Sequence, residues 1–176
     1  MARRKHVVRP FDLDRDERWA TGWLDERLGG RRQARRGEVI DVLEAGLGFV
    51  AERHGDPVGL LTYRFDEDAV ELSSLAADPR HGGIGSALLE ALIGAVAAAE
   101  RHWIWVVSTN DNLDALRFYQ RRGFRIGEVR VGAVDRARLS IKPSIAGIGS
   151  YGIPLRDEFE LVLDLRLEEP AKPVTA

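Results

Sequence analysis

The run Leu75-Ala76-Ala77-Asp78-Pro79-Arg80-His81-Gly82-Gly83-Ile84-Gly85-Ser86 leads from an apolar strand through a Pro/Gly turn into a long Ala/Leu-rich stretch. Glycines at such a junction let the backbone curl tightly and leave no Cβ in the path of a ligand approaching the amides. A helix that starts here presents unpaired N–H groups at the positive end of its dipole. The junction therefore suits a phosphate or pyrophosphate, with Arg80 as a charge-assisted clamp. Two phosphate motifs fail on residue type. A Walker A loop needs Lys followed by Ser or Thr, and Ile84-Gly85-Ser86 has no Lys. A dinucleotide fingerprint needs an acidic residue closing the next strand, whereas the strand 103–108 ends in Ser108-Thr109-Asn110.

A second segment, Asn110-Asp111-Asn112-Leu113-Asp114-Ala115-Leu116-Arg117-Phe118-Tyr119, runs on into Gln120-Arg121-Arg122-Gly123-Phe124. Asn112, Ala115 and Tyr119 fall at i, i+3 and i+7 and share one helical face. Gly123 suits the left-handed position that closes a helix, and Arg121 and Arg122 complement its negative end. By itself this is equally an amphipathic helix whose Tyr is a core aromatic.

Together the segments carry more. Arg80-x-x-Gly83-x-Gly85 resembles the loop motif of the GCN5-related N-acetyltransferases (GNAT). Asn112-x-x-Ala115-x-x-Phe118-Tyr119 with Gly123-Phe124 resembles the family's second motif, in the family's order with one helix and one strand between. The resemblance is strong over residues 58–124, and the runs 111–124 and 152–158 are similar to an uncharacterised bacterial subgroup. It implies an α/β fold: a mixed, mostly antiparallel, splayed sheet flanked by helices on both faces.

It also implies acetyl-CoA as co-substrate. The strand 72–77 is then expected to carry a bulge and to splay from its neighbour, so that coenzyme A enters the gap. Leu75, Ala76 and Ala77 would meet the pantetheine arm, and a backbone N–H near Leu75 would polarise the thioester carbonyl. Arg80, His81, Gly82, Gly83, Ile84, Gly85 and Ser86 would hold the pyrophosphate, and Asn110, Asn112 and Ala115 would flank the arm. Tyr119 would protonate the departing thiolate, since a phenol of pKa about 10 keeps its proton at neutral pH.

The chain has no cysteine, no Gly-x-Ser-x-Gly elbow and four scattered histidines, so neither a Cys acyl-enzyme nor a metal site is expected. An amine would attack acetyl-CoA directly. Glu71, opening the strand that leads to Leu75, is the first candidate for the base; a solvated strand-end carboxylate is the plainer reading. Trp19 and Trp23 lie four apart in the helix 15–28, where Trp23 either packs in the core or lines the acceptor site. Residues 134–158 read as a long loop, a flap over the acceptor with Asp157 or Glu158 holding a cationic amine, or else a packing arm. The run 31–36 holds four arginines and reads as a solvated loop or a phosphate contact.

At 176 residues and 44% hydrophobic, the chain fits one domain over 1–176, with 168–176 as a frayed tail. A net charge of −2 argues against a nucleic-acid partner, and no stretch is both long and apolar enough to span a membrane. A cytoplasmic enzyme acting on a small-molecule primary amine, with a homodimer as an option, is the resulting expectation. A non-catalytic acyl-CoA-binding module and acylation of aminoacyl-tRNA are the alternatives. Strands are expected at 6–11, 48–53, 57–65, 69–77, 103–107, 125–133 and 159–167. An apolar helical stripe is expected at Ile84, Leu88, Leu92, Val96 and Ala99.

Overall fold

The computed structural model describes residues 6–79 and 82–167. The chain opens with β1 (Val7–Pro10) and α1 (Leu13–Leu28), followed by a hairpin of β2 (Arg32–Arg35) and β3 (Glu38–Asp41). A meander of β4 (Gly48–Arg53), β5 (Asp56–Asp66) and β6 (Ala69–Ala77) leads into α2 (Ile84–Ala98). Then come β7 (Trp103–Thr109), α3 (Leu113–Gln120), β8 (Arg125–Arg130), α4 (Ala133–Ser140) and β9 (Glu158–Asp164). Seven strands form one sheet in the order β1-β4-β5-β6-β7-β9-β8, while β2 and β3 pair apart from it. Within the large sheet only β6 and β7 run parallel. This is the mixed, mostly antiparallel α/β architecture expected.

Local chemistry sets the helix ends. Asp12 caps α1 by accepting from Arg15 N, Asp14 and Asp16 sit in its positive first turn, and Gly29 closes it at φ 71°. The stripe Ile84, Leu88, Leu92 and Val96 of α2 is buried against Ala51, Leu61 and Leu72 on one face of the sheet. Ala99 lies past the end of α2 and is exposed. Tyr119 of α3 joins the same core, whereas α1 packs Trp23 and Leu24 against Val50 and Leu60 on the opposite face. Helices therefore cover both faces, and none among the described residues is long and apolar enough to cross a membrane.

Two segments differ from expectation. The arginine run is a strand of the β2–β3 hairpin, turned by Arg36 and Gly37 at φ 52° and 82°. The stretch expected as a loop contains α4, and β8 stops at Arg130 because Gly132, at φ 68°, turns the chain into that helix. α4 is eight residues long and buries only Val134 and Ala137. Such a helix is marginal alone. Tertiary bonds hold it: Arg138 donates to the carbonyls of Ile145, Ala146 and Leu155 at 2.7–3.0 Å. The tail 168–176 lies outside the described residues.

α2 sits so close to β5 that a Cβ on Gly59 would stand 2.7 Å from Ile84 Cγ2. Gly59→Ala should destabilise by about 1–3 kcal/mol through overpacking. A lower urea midpoint with an unchanged m-value checks this.

Candidate active site

β6 and β7 pair only at Ala69–Trp103, Val70–Ile104 and Glu71–Trp105. Beyond these pairs the strands part, and a parallel ladder that opens strands backbone donors and acceptors along both edges. The opening coincides with a bulge. Tyr63 faces Leu72 and Thr62 faces Ser74, so Ser73 is the extra residue on β6. A cleft of about 260 Å³ occupies the gap between residues 72–75 and residues 106–109.

Arg35 stands at the fork. Its Nη1 donates to Glu71 Oε1 at 2.7 Å and to the Ser73 carbonyl at 2.8 Å, and its Nη2 donates to Gln33 Oε1 at 2.7 Å. Arg64 Nε donates to the other Glu71 oxygen. Glu71 is 0% exposed, and burial draws the Arg35 pKa below the ordinary arginine value while Glu71 draws it back.

On the α2–α3 side, Gly83 caps α2 at φ 80°, where a side chain would be strained. No side-chain cap and no acidic residue occupy that first turn, so the N–H groups of residues 84–86 keep their capacity for an anion. Ile84 commits its side chain to the core and offers only backbone. A Cβ on Gly85 would lie 3.2 Å from the Phe118 ring, so the two sequence motifs touch. Arg122 stacks on that ring at 3.6 Å and donates to Ser86 Oγ at 2.6 Å, bringing a guanidinium to the helix mouth. On the other flank, Arg53 Nη2 lies 3.6 Å from the Cβ position of Gly82, and Arg53 Nε is buried with no hydrogen-bond partner among the described residues. Arg80 and His81 lie outside the described residues.

α3 starts at Asn112, whose Oδ1 accepts from Ala115 N at 3.2 Å. Asn112, Ala115 and Tyr119 all line the cleft, as does Leu75, whereas Ala76 and Ala77, further along the same β5–β6 ladder, do not. Tyr119 is packed between Phe118 and Phe124, each with its ring centroid 5.2 Å away, and burial pushes its phenol well above the ordinary tyrosine value. Ser108, 8% exposed and also in the cleft wall, has a buried hydroxyl with no partner among the described residues. Buried polar atoms are nearly always satisfied, so this hydroxyl, lying in the cleft wall, is available to a water or a ligand atom there.

Residues 11–124, a span that includes the fork, the glycine turn and α3, match the Acetyltransferase (GNAT) family. The chain belongs to the GNAT acetyltransferases. The uncharacterized protein YxbD of Bacillus subtilis (strain 168) is 45% identical over 109 residues, 62% of this chain and 68% of its own length. The uncharacterized protein YdhI of the same strain is 38% identical over 120 residues, 66% of this chain and 74% of its own. An IAA acetyltransferase from Bacillus cereus ATCC 14579 shares the fold with a TM-score of 0.71 at 19% identity, over 92% of this chain and 100% of that one. A GNAT family acetyltransferase from Elizabethkingia anophelis with acetyl-CoA bound gives 0.65 at 18% identity, over 91% and 98%. A Bacillus subtilis acetyltransferase in complex with CoA gives 0.65 at 20%, over 92% and 99%.

The opposite side of the GNAT sheet corrects several sequence expectations. Glu71 does not line the cleft, and both its oxygens are held by guanidinium groups, so it is a structural anion and not a free base. Trp23 is a core residue, with its ring 5.1 Å from Trp19 and Arg27 stacked on it at 3.7 Å. Asp157 accepts from Gly132 N at 2.7 Å and ties the start of α4 in place. Asn110 is equally occupied: its Oδ1 accepts from Arg156 N and Asp157 N, and its Nδ2 donates to the Pro154 carbonyl. Three of the four arginines of the run 31–36 are engaged, while Arg32 is exposed. Arg31 pairs with Glu17 and Asp41, Arg35 with Glu71, and Arg36 stacks on Trp105.

Glu158 is different. It is 3% exposed, faces Thr109 across the β7–β9 ladder and lines the cleft, with Oε2 accepting from Arg36 N at 3.1 Å. Sequence reasoning missed Arg35, Ser108, Arg122 and Lys142. Gly37 between Ala34-Arg35-Arg36 and Glu38-Val39-Ile40 was the available hairpin signal for Arg35.

Two outcomes test this arrangement. Glu71→Gln leaves Arg35 buried without its anion and should cost about 3–5 kcal/mol in denaturant unfolding. Because the folded-state pKa of Tyr119 is raised, its contribution is complete below the unfolded value of about 10 and declines above it. Tyr119→Phe should therefore gain stability relative to wild type as the pH rises past 10, read from urea midpoints.

Proposed function

We propose that this GNAT acetyltransferase moves an acetyl group from acetyl-CoA to a primary amine of a small molecule, by direct attack in a ternary complex. The observation that carries this reading is one cleft passing through the split sheet, with Tyr119 in its wall on the α2–α3 side and Glu158 in its wall on the other. The open N–H groups of residues 84–86, flanked by Arg122 and Arg53, suit the pyrophosphate of coenzyme A, and the unpartnered Ser108 hydroxyl suits a polar atom of its arm.

A lysine-like amine is almost fully protonated near pH 7, and removing that proton costs roughly 4–5 kcal/mol. Glu158 is the carboxylate that receives it. The free amine attacks the thioester carbonyl, the C–N bond forms, and the carbon–sulfur bond then breaks. Tyr119 supplies the proton that coenzyme A carries away as a thiol. A buried phenolate is a costly product, so the second amine proton, released from the adduct, restores Tyr119 within the same event.

The test is thiol release and product mass with acetyl-CoA and a panel of amines. Tyr119→Phe should lower kcat about 10²-fold while calorimetry shows acetyl-CoA binding as in wild type. Wild-type kcat in that variant would move the acid elsewhere. Acetyl-CoA binding with no amine acetylated would favour the non-catalytic acyl-CoA-binding module.

A further inference from the structure

We infer that the acceptor is a small monoamine with a compact apolar body, an alkyl or arylalkyl amine, held by its single ammonium group at Glu158. This rests on the acetyl-transfer reading above and concerns the half of the cleft walled by α4, the segment after it, the end of α1 and the β2–β3 hairpin. Five apolar side chains line that half beside Gln33, Lys142 and Glu158: Leu28 at the end of α1, Val134 and Ala137 on α4, and Ile145 and Leu155 from the segment that follows.

The charged groups there are few and mostly committed. Arg35 is bonded to Glu71, the Ser73 carbonyl and Gln33. Lys142 Nζ donates to the Arg32 carbonyl at 2.5 Å and the Gly29 carbonyl at 3.4 Å, which latches α4 to the hairpin. Glu158 is the one anion lining the cleft among the described residues; it accepts from one backbone N–H and also feels the Arg35 guanidinium. Its oxygens have room for further donors, but with Arg35 already in the wall a single ammonium is as much positive charge as the site suits.

Other amine classes fit poorly. A second cation on a polyamine meets Arg35, Lys142 or the apolar wall. A carboxylate beside the amine, as in an amino acid, meets Glu158.

Matched pairs test this at saturating acetyl-CoA. From ethylamine to hexylamine, kcat/KM should climb about three- to four-fold per methylene until the wall is filled. Hexylamine should exceed 1,5-diaminopentane, and isoamylamine should exceed leucine, each by roughly ten-fold or more. Ile145→Ala should flatten the chain-length slope, and Leu155→Asp should narrow the gap between hexylamine and the diamine. Binding of acetyl-CoA by both variants reports an intact fold. A flat series, a preferred diamine or amino acid, or an unaltered slope in Ile145→Ala overturns the inference and leaves acetyl transfer standing. Failure of every amine with acetyl-CoA bound would overturn acetyl transfer itself, and this inference with it.

Discussion

An arginine side chain occupies the place where a strand would otherwise continue its ladder. β6 and β7 share three residue pairs and then separate, and Arg35 enters from the hairpin at the last of them. It takes up the Ser73 carbonyl at the bulge and neutralises the buried Glu71, whose second oxygen is held by Arg64. Without that guanidinium the fork would bury a carboxylate with one oxygen left unpaired beside an unpaired carbonyl, each expensive in a dry interior. The gap in the sheet is stable because a cation from outside the sheet fills its polar debt at the apex.

From that fork the molecule divides by construction. One side is built from the main core: α2 and α3 pack on the sheet, and the two motifs meet where Gly85 lies against Phe118. The other side is assembled from additions: the β2–β3 hairpin, which buries Ile40 against α1 and the sheet and reaches the fork through Arg35, and α4, tied to the segment that follows by Arg138 and to the hairpin by the neighbouring Lys142. Tight packing fixes the half that carries the glycine turn and α3, and directional hydrogen bonds place much of the other half.

The glycine turn and the Asn112–Tyr119 face were legible in the sequence because their information is local: residue types and spacing within one turn and one helix. The buried stripe of α2 and the apolar strand β7 were legible for the same reason. Arg35 was not, because four arginines in six residues look alike until one of them finds Glu71, 36 positions away. α4 was missed because eight residues with two buried side chains carry almost no periodic signal, and its stability comes from carbonyls far along the chain. Asn110 and Asp157 looked like ligand residues since their side chains bind well, and they do bind, but to backbone amides of their own chain.

The way α4 and residues 145–156 are mounted has a consequence for how this protein can diverge. Asn110, Asp111, Asp157 and Arg138 hold the segment by its main chain, through the N–H groups of Arg156, Ser150 and Gly132 and the carbonyls of Ile145 and Leu155. Main-chain attachment is indifferent to which side chains the segment carries. The wall can therefore drift in sequence without losing its anchorage. Descendants of one scaffold can exchange acceptors by relining a panel whose hinges stay where they are.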